Sequence, residues 1–266
     1  MIDNKGYAPV NGLKMYYEVH EPSGKAITEG IPLVLIHGGG STIETTFANI
    51  LPLLAQYVKT IAIELQAHGR TDDRDGDSSF EQDADDVAGL LTFLKISKAD
   101  FLGFSNGGNT AMQIAIRQPE LVNKLIIASS FYKRDGLIPG FFEGLQQATL
   151  DNMPEPLKTG YLKVADNKEH LQVMFDRDRK RMLQFTDWTD EDLRLIKAKT
   201  FLILGDRDVV RSEHAVEMFR LLPNAALVIL PGEHGACIGE VTTAKEGSKI
   251  VELTALLIKE FLAEPG

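Results

Sequence analysis

A serine held between two glycines, where an apolar run gives way to a helical pattern, constrains this chain more than any other feature. Residues 99–109 read ADFLGFSNGGN, which places Gly103-Phe104-Ser105-Asn106-Gly107 between a strand-like segment and a helix. A G-x-S-x-G turn in that position puts the serine on a sharp, strained bend and exposes its hydroxyl at the edge of a sheet. The glycines on either side leave room for the chain to bend that tightly. The helix then begins beside the hydroxyl, and its free N–H groups can stabilise an oxyanion.

The rest of the first half alternates strand and helix, as such a turn requires. Residues 13–19 (LKMYYEV) read as a strand paired with the segment before the Asn11-Gly12 turn. The continuous apolar run at 31–36 has the pattern of a strand buried on both faces. A helix is expected over 42–54 and a strand over 60–65; Phe80, Ala84, Val87, Ala88, Leu91 and Leu94 then recur at helical spacing. Strands follow at 101–104 and 124–128, with Ala111, Ile114 and Ala115 lining the helix between them. From 133 to 194 the alternation stops, and 139–149, 155–165, 168–185 and 189–196 read as helices punctuated by Pro139, Pro154 and Pro156. Strands resume at 200–204 and 226–230 around a helix with Ala215, Met218, Phe219 and Leu222 on one face, and a last helix carries Ile250, Leu253, Leu257 and Phe261. The pattern predicts an α/β protein with a doubly wound, mostly parallel sheet built from 1–132 and 195–266, interrupted by a helical insertion at 133–194.

Charge and cysteine content narrow the partners. A formal net charge of −10 argues against nucleic acid or anionic membranes as partners. The single cysteine, Cys237, rules out an intrachain disulfide and fits a reducing, cytoplasmic compartment. The opening MIDNKGYAPVNG lacks the basic start and apolar stretch of a secretory signal, and no apolar run reaches the roughly 18 residues of a membrane span.

A serine hydroxyl needs a base within hydrogen-bond reach and a third group to orient that base. His234 lies in the loop Pro231-Gly232-Glu233-His234-Gly235 directly after a strand, where parallel sheets place their ligands, whereas His214 falls in the first turn of a helix. His234 is therefore the expected base. The orienting acid should follow the preceding strand, where Gly205-Asp206-Arg207-Asp208 offers Asp206 and Asp208.

Four segments, LVLIHGGG (33–40), GFSNGG (103–108), LILGDRD (202–208) and LPGEHG (230–235), make the chain resemble the α/β-hydrolase fold family over nearly its full length. The resemblance implies an eight-stranded sheet with residues 133–194 as a helical cap over the site. It selects Asp208 as the acid and leaves Asp206 as a turn residue. It also implies that the backbone N–H groups of Gly39 (with Gly40 as the alternative) and Asn106 form the oxyanion hole. Gly38, Gly40 and Phe104 are expected to contact substrate, and His37 to hold the glycine loop. Of the aromatic residues in the insertion, Phe141, Phe142, Tyr161, Phe175, Phe185 and Trp188, some must face the cleft.

Several features read as ordinary structure. The run Asp73-Arg74-Asp75-Gly76-Asp77 hints at a calcium loop, but Thr71 and Gln82 stand where its first and last ligands belong. Arg177, Arg179, Lys180 and Arg181, interleaved with Asp176 and Asp178, read as a solvated helix face. His68 carries no expected catalytic role, and Cys237 reads as a packing residue. No histidine–carboxylate spacing points to zinc, and the glycines at 38–40 lack the Lys-Ser/Thr of a phosphate loop.

The expectation is a serine hydrolase without metal or cofactor, cleaving small to medium apolar carboxylic esters through an acyl-enzyme on Ser105, His234 and Asp208. Carbon–carbon bond hydrolysis, lactone opening, amide cleavage, perhydrolysis and acyl transfer use the same three residues. A small-molecule receptor with slow turnover is the rival from another class. Nothing in the sequence sets an oligomeric state.

Overall fold

The computed structural model describes residues 4–28 and 30–265. Residues 1–3 of the segment read above for a leader, together with Glu29 and Gly266, lie outside the described residues. The strands are β1 (Asn4–Val10), β2 (Leu13–His20), β3 (Leu33–Ile36), β4 (Thr60–Ile63), β5 (Ala99–Phe104), β6 (Val122–Ala128), β7 (Lys199–Arg207) and β8 (Ala225–Glu233). The helices are α1 (Ile43–Phe47), α2 (Leu51–Leu54), α3 (Phe80–Phe93), α4 (Asn106–Arg117), α5 (Phe141–Gln147), α6 (Glu155–Val164), α7 (His170–Leu183), α8 (Asp190–Leu195), α9 (Ser212–Leu221) and α10 (Ile250–Ala263).

Among the described residues, eight strands form one sheet in the order β1-β2-β4-β3-β5-β6-β7-β8. The β1–β2 and β2–β4 pairs are antiparallel and the others parallel. The β1–β2 hairpin turns at Asn11 and Gly12, whose φ values of +46° and +85° match the tight turn read from that dipeptide. Every residue of β3, β4 and β5 is buried, as continuous apolar runs demand. Alternate residues of these strands face opposite ways. Val34, Ile36, Ile61, Ile63 and Phe101 pack under α3 and α4, with Leu90, Ala111 and Ile114 against them. Leu33, Leu35, Ala62 and Leu102 pack on the other face, with Phe47, Leu54, Ile258 and Phe261.

The chain moves from β3 to β4 on one side and then to β5 on the other, so strand order reverses between β3 and β5. The crevice beyond the carboxyl ends of these two strands is where a doubly wound sheet takes its ligand. The 37–40 loop and the Ser105 turn both open there.

Two departures from the sequence reading have local causes. The helix expected over 42–54 is two short helices, because Pro52 lacks the N–H that a continuous helix needs and instead sits in the first turn of α2. Helices α5 to α8 lie between β6 and β7, and the helix read over 139–149 is confined to Phe141–Gln147 because Gly140, at φ +84°, stands before its first turn; a separate 3₁₀ turn follows at Leu150–Asn152.

The serine turn depends on backbone contact that tolerates no side chain. A Cβ on Gly103 would lie 2.2 Å from the Gly107 carbonyl oxygen, and one on Gly107 would lie 2.1 Å from that of Ile36. Ser105 itself sits at φ +52°, a region costly for a residue with a side chain. Gly107→Ala is expected to destabilise the fold by about 3 kcal/mol, read from urea unfolding. A change within experimental error would show that β3 and α4 do not need this contact.

Candidate active site

Ser105, at the carboxyl end of β5, meets His234 from the loop after β8 and Asp208 from the loop after β7. His234 Nε2 lies 3.1 Å from Ser105 Oγ. Its Nδ1 lies 2.7 Å from Asp208 Oδ1, a bond in which the imidazole must donate because an ionised carboxylate only accepts. The unprotonated Nε2 is thereby left to accept from the serine hydroxyl. Asp208 also accepts from the Ser129 hydroxyl on Oδ2 at 2.6 Å and from the Val210 N–H on Oδ1 at 3.0 Å. Burial alone would raise the Asp208 pKa, but the His234 bond and charge, followed by Ser129 and Val210, hold it below the usual carboxylate value.

The other candidates from the sequence lie elsewhere. Asp206 accepts the Gly232 N–H at 2.9 Å and pairs with Arg207, so it braces the turn beside β8. His214 is buried, accepts the Tyr132 N–H at 3.2 Å and stacks on the Tyr132 ring. Cys237 is buried, and burial pushes its thiol up to about 12.

The glycine loop runs alongside the serine turn. A Cβ on Gly38 would stand 3.3 Å from Ser105 Cβ, and one on Gly39 would stand 2.5 Å from Asn106 Nδ2. His37 donates from Nδ1 to the Gly38 carbonyl at 2.8 Å and accepts the Leu65 N–H on Nε2 at 3.1 Å. Burial, with the neighbouring His68 charge adding to it, brings the His37 pKa down to about 3, so the ring is a neutral brace. The Gly40 N–H donates to Asp178 Oδ2 at 2.6 Å. The N–H groups of Gly39 and Asn106 have no protein acceptor among the described residues.

A cavity of about 280 Å³ opens over Ser105, His234, Gly39, Gly40 and Asn106. Helices α5, α6 and α7 roof it with apolar side chains, among them Leu145, Leu157 and Met174. Of the aromatic candidates in the insertion, Phe141 and Phe175 line it, while Phe185 and Trp188 pack on Phe80 instead. Two of the expected substrate contacts, Phe104 and Gly38, lie outside the cavity lining. Phe104 is buried with its ring 4.9 Å from the His234 imidazole, against which it packs. Gly38 is likewise absent from the cavity lining, because it faces Phe104 and the Ser105 Cβ.

Residues 33–237 match the family described as the alpha/beta hydrolase family. The chain belongs to the alpha/beta hydrolase family. The 2-hydroxymuconate semialdehyde hydrolase of Pseudomonas sp. (strain CF600) is 37% identical over 106 residues, which span 38% of this chain and 37% of that relative. Among solved structures, a serine hydrolase involved in carbazole degradation superposes with a TM-score of 0.76 at 22% identity, covering 98% of both chains. The enol-lactonase of Burkholderia xenovorans LB400 superposes with a TM-score of 0.73 at 19% identity, covering 97% of this chain and 100% of the other. No helix among the described residues is long and apolar enough to cross a membrane.

Sequence reasoning missed two residues at this candidate site. Ser129, just past β6, adopts φ +55° and reaches Asp208 from the carboxyl edge of the sheet. Its position at a strand end is the signal that could have singled it out. Asp178 belongs to the run of charges read as a solvated helix face, and that reading fails on one side of α7. Arg181 is buried and pairs with both Asp83 and Asp178, while Asp178 faces the cavity. The i, i+3 spacing of Asp178 and Arg181 puts both on the inner face of the helix. On the outer face Lys180 pairs with Asp77 of the acidic run at 73–77.

His68 donates from both nitrogens, Nδ1 to the Gln66 carbonyl at 2.8 Å and Nε2 to Asp178 at 2.9 Å, which requires the imidazolium. Burial opposes that charge, but Asp178 overcomes it and the His68 pKa is raised. For Asp178 burial is again opposed, by His68 and Arg181, and its carboxyl stays well below the usual range.

Two outcomes follow for these groups. Ser129→Ala is expected to lower kcat about tenfold, with KM little changed, measured with an aryl ester; an unaltered kcat would limit Ser129 to a packing role. The stabilisation held by His68 is present below its unfolded pKa near 6.5 and is lost as pH rises through the raised folded value; that held by Asp178 is present above about 3.9 and is lost as pH falls through the depressed folded value. The Tm gap between wild type and Asp178→Asn should therefore be widest between about pH 4.5 and 6.5 and narrow toward pH 9. Calorimetry across that range checks it, and a gap that widens at alkaline pH would contradict the His68 assignment.

Proposed function

We propose that this chain is a serine hydrolase of small to medium apolar carboxylic esters, working without metal or cofactor. The observation that carries the reading is the hydrogen-bonded chain from Ser105 through His234 to Asp208, set at an apolar cavity beside two unpaired backbone N–H groups. In this reading residues 133–194 are a cap on a core formed by 1–132 and 195–266, and the buried, lone Cys237 fits a cytoplasmic setting.

Ser105 Oγ attacks the ester carbonyl as its proton passes to His234 Nε2, and the carbonyl oxygen becomes an oxyanion facing the N–H groups of Gly39 and Asn106. Asp208, ionised and hydrogen-bonded to Nδ1, stabilises the imidazolium. Collapse breaks the bond to the alcohol oxygen, which leaves with the proton from His234. Water then enters, gives its proton to His234 and attacks the acyl carbon; the second collapse releases the acid and returns the proton to Ser105. Each step transfers one proton, and none requires an electron carrier.

A second reading is favoured by the likeness to the 2-hydroxymuconate semialdehyde hydrolase and the enol-lactonase: the same three residues applied to a carbon–carbon bond beside a ketone, or to a lactone. A panel of p-nitrophenyl esters, lactones and vinylogous diketones, run against wild type and Ser105→Ala, separates these readings. The p-nitrophenyl esters should turn over fastest, and Ser105→Ala should abolish both turnover and labelling by a fluorophosphonate. Asp208→Asn is expected to lower kcat by about 10⁴. Tight binding with at most one turnover across the whole panel would replace the enzyme with a receptor. An unimpaired Ser105→Ala would remove the serine from the chemistry altogether.

A further inference from the structure

The glycine loop is gripped on both sides of Gly39, and one of the two grips comes from the roof of the cavity. The Gly38 carbonyl and the Gly39 N–H belong to one peptide plane, which His37 Nδ1 holds through that carbonyl at 2.8 Å. The next plane, between Gly39 and Gly40, is held at its N–H by Asp178 Oδ2 at 2.6 Å. Glycines have wide freedom in φ and ψ, and Gly40 uses it at φ +67°, so the loop's own covalent geometry does not aim the Gly39 N–H.

Asp178 is itself well fixed. His68 donates to the same Oδ2 at 2.9 Å, and Arg181 donates to Oδ1 while pairing with Asp83 of α3 on its other side. The His68 ring lies 4.7 Å from that of His37, which closes a buried circuit of contacts around Gly39.

We propose that Asp178 is a positioning residue for the oxyanion site. By taking the Gly40 N–H it holds Gly39 in the orientation that directs the Gly39 N–H beside Ser105, so the site is complete only while α7 is seated on the core. The proposal rests on the reading of Gly39 as an oxyanion donor. Asp178 acts through Gly40 and not on the substrate carbonyl. An acceptor oxygen at that place is what the loop requires, and an asparagine supplies one.

Asp178→Ala and Asp178→Asn are compared with wild type in hydrolysis of p-nitrophenyl hexanoate and in the rate of fluorophosphonate labelling at Ser105. Inhibition by a trifluoromethyl ketone, whose serine adduct carries an oxyanion, is the third readout. Asp178→Ala should lower kcat about 10- to 100-fold with KM little changed, and weaken the ketone by a similar factor. Asp178→Asn should stay within about fivefold of wild type in both, since it keeps the hydrogen bond to Gly40. Wild-type kcat and ketone affinity in Asp178→Ala would overturn the proposal. So would a loss in Asp178→Asn equal to that in Asp178→Ala, which would assign the effect to charge. If the alanine variant does not fold, Asp178→Leu, which fills the cavity wall without offering an acceptor, takes its place. Failure of the ester reading looks different: wild type cleaves no ester, while the labelling rates still rank the variants in the same order.

Discussion

Backbone-to-backbone contact along the carboxyl edge of the sheet is the constraint on which the site depends. At Gly103, Gly107 and Gly205 a single added carbon would fall 2.1 to 2.3 Å from a main-chain oxygen of a neighbouring segment. Contacts this close leave no room for a side chain, so glycine at these positions lets the turn after β5 approach the end of β3, and β7 approach β8. The serine, the glycine loop and the histidine stand at the ends of β5, β3 and β8. The Ser105–His234–Asp208 hydrogen bonds form where the ends of these strands come together.

Polar contacts then refine what packing brings together. Asp208 is buried and accepts from His234, Ser129 and Val210, so its negative charge is retained where burial alone would neutralise it. Phe104 packs its ring against the imidazole of His234. Two histidines of similar burial take opposite protonation states for reasons visible in their partners. His37 has a donor on one side and is neutral, whereas His68 has acceptors on both sides and is charged.

The helices between β6 and β7 do more than roof the cavity. Phe141, Leu145, Met153, Leu157 and Phe175 supply its apolar wall, and Asp178 carries a contact from the roof into the glycine loop. A small cavity with a mostly apolar wall suits a small molecule with a largely uncharged body.

The local sequence by itself determined the strand–helix alternation, the turn at Ser105 and the separate loops carrying His234 and the two acids, because each is written in short-range periodicity and in residues such as glycine and proline with restricted uses. It also carried the distinction between a buried parallel strand and an amphipathic helix, since hydrophobic spacing is a local property. The spacing of Asp206 and Asp208 left both open and the family resemblance pointed to Asp208; the tertiary structure turns Asp206 to Gly232 and Asp208 to His234, because which carboxylate faces the sheet edge depends on the neighbouring strand end. It alone separated Phe141 and Phe175 from the aromatics that pack elsewhere, and it turned Asp178 inward from a run of charges. Those outcomes depend on which helix face meets which strand end, and that is settled by contacts between segments far apart in the chain.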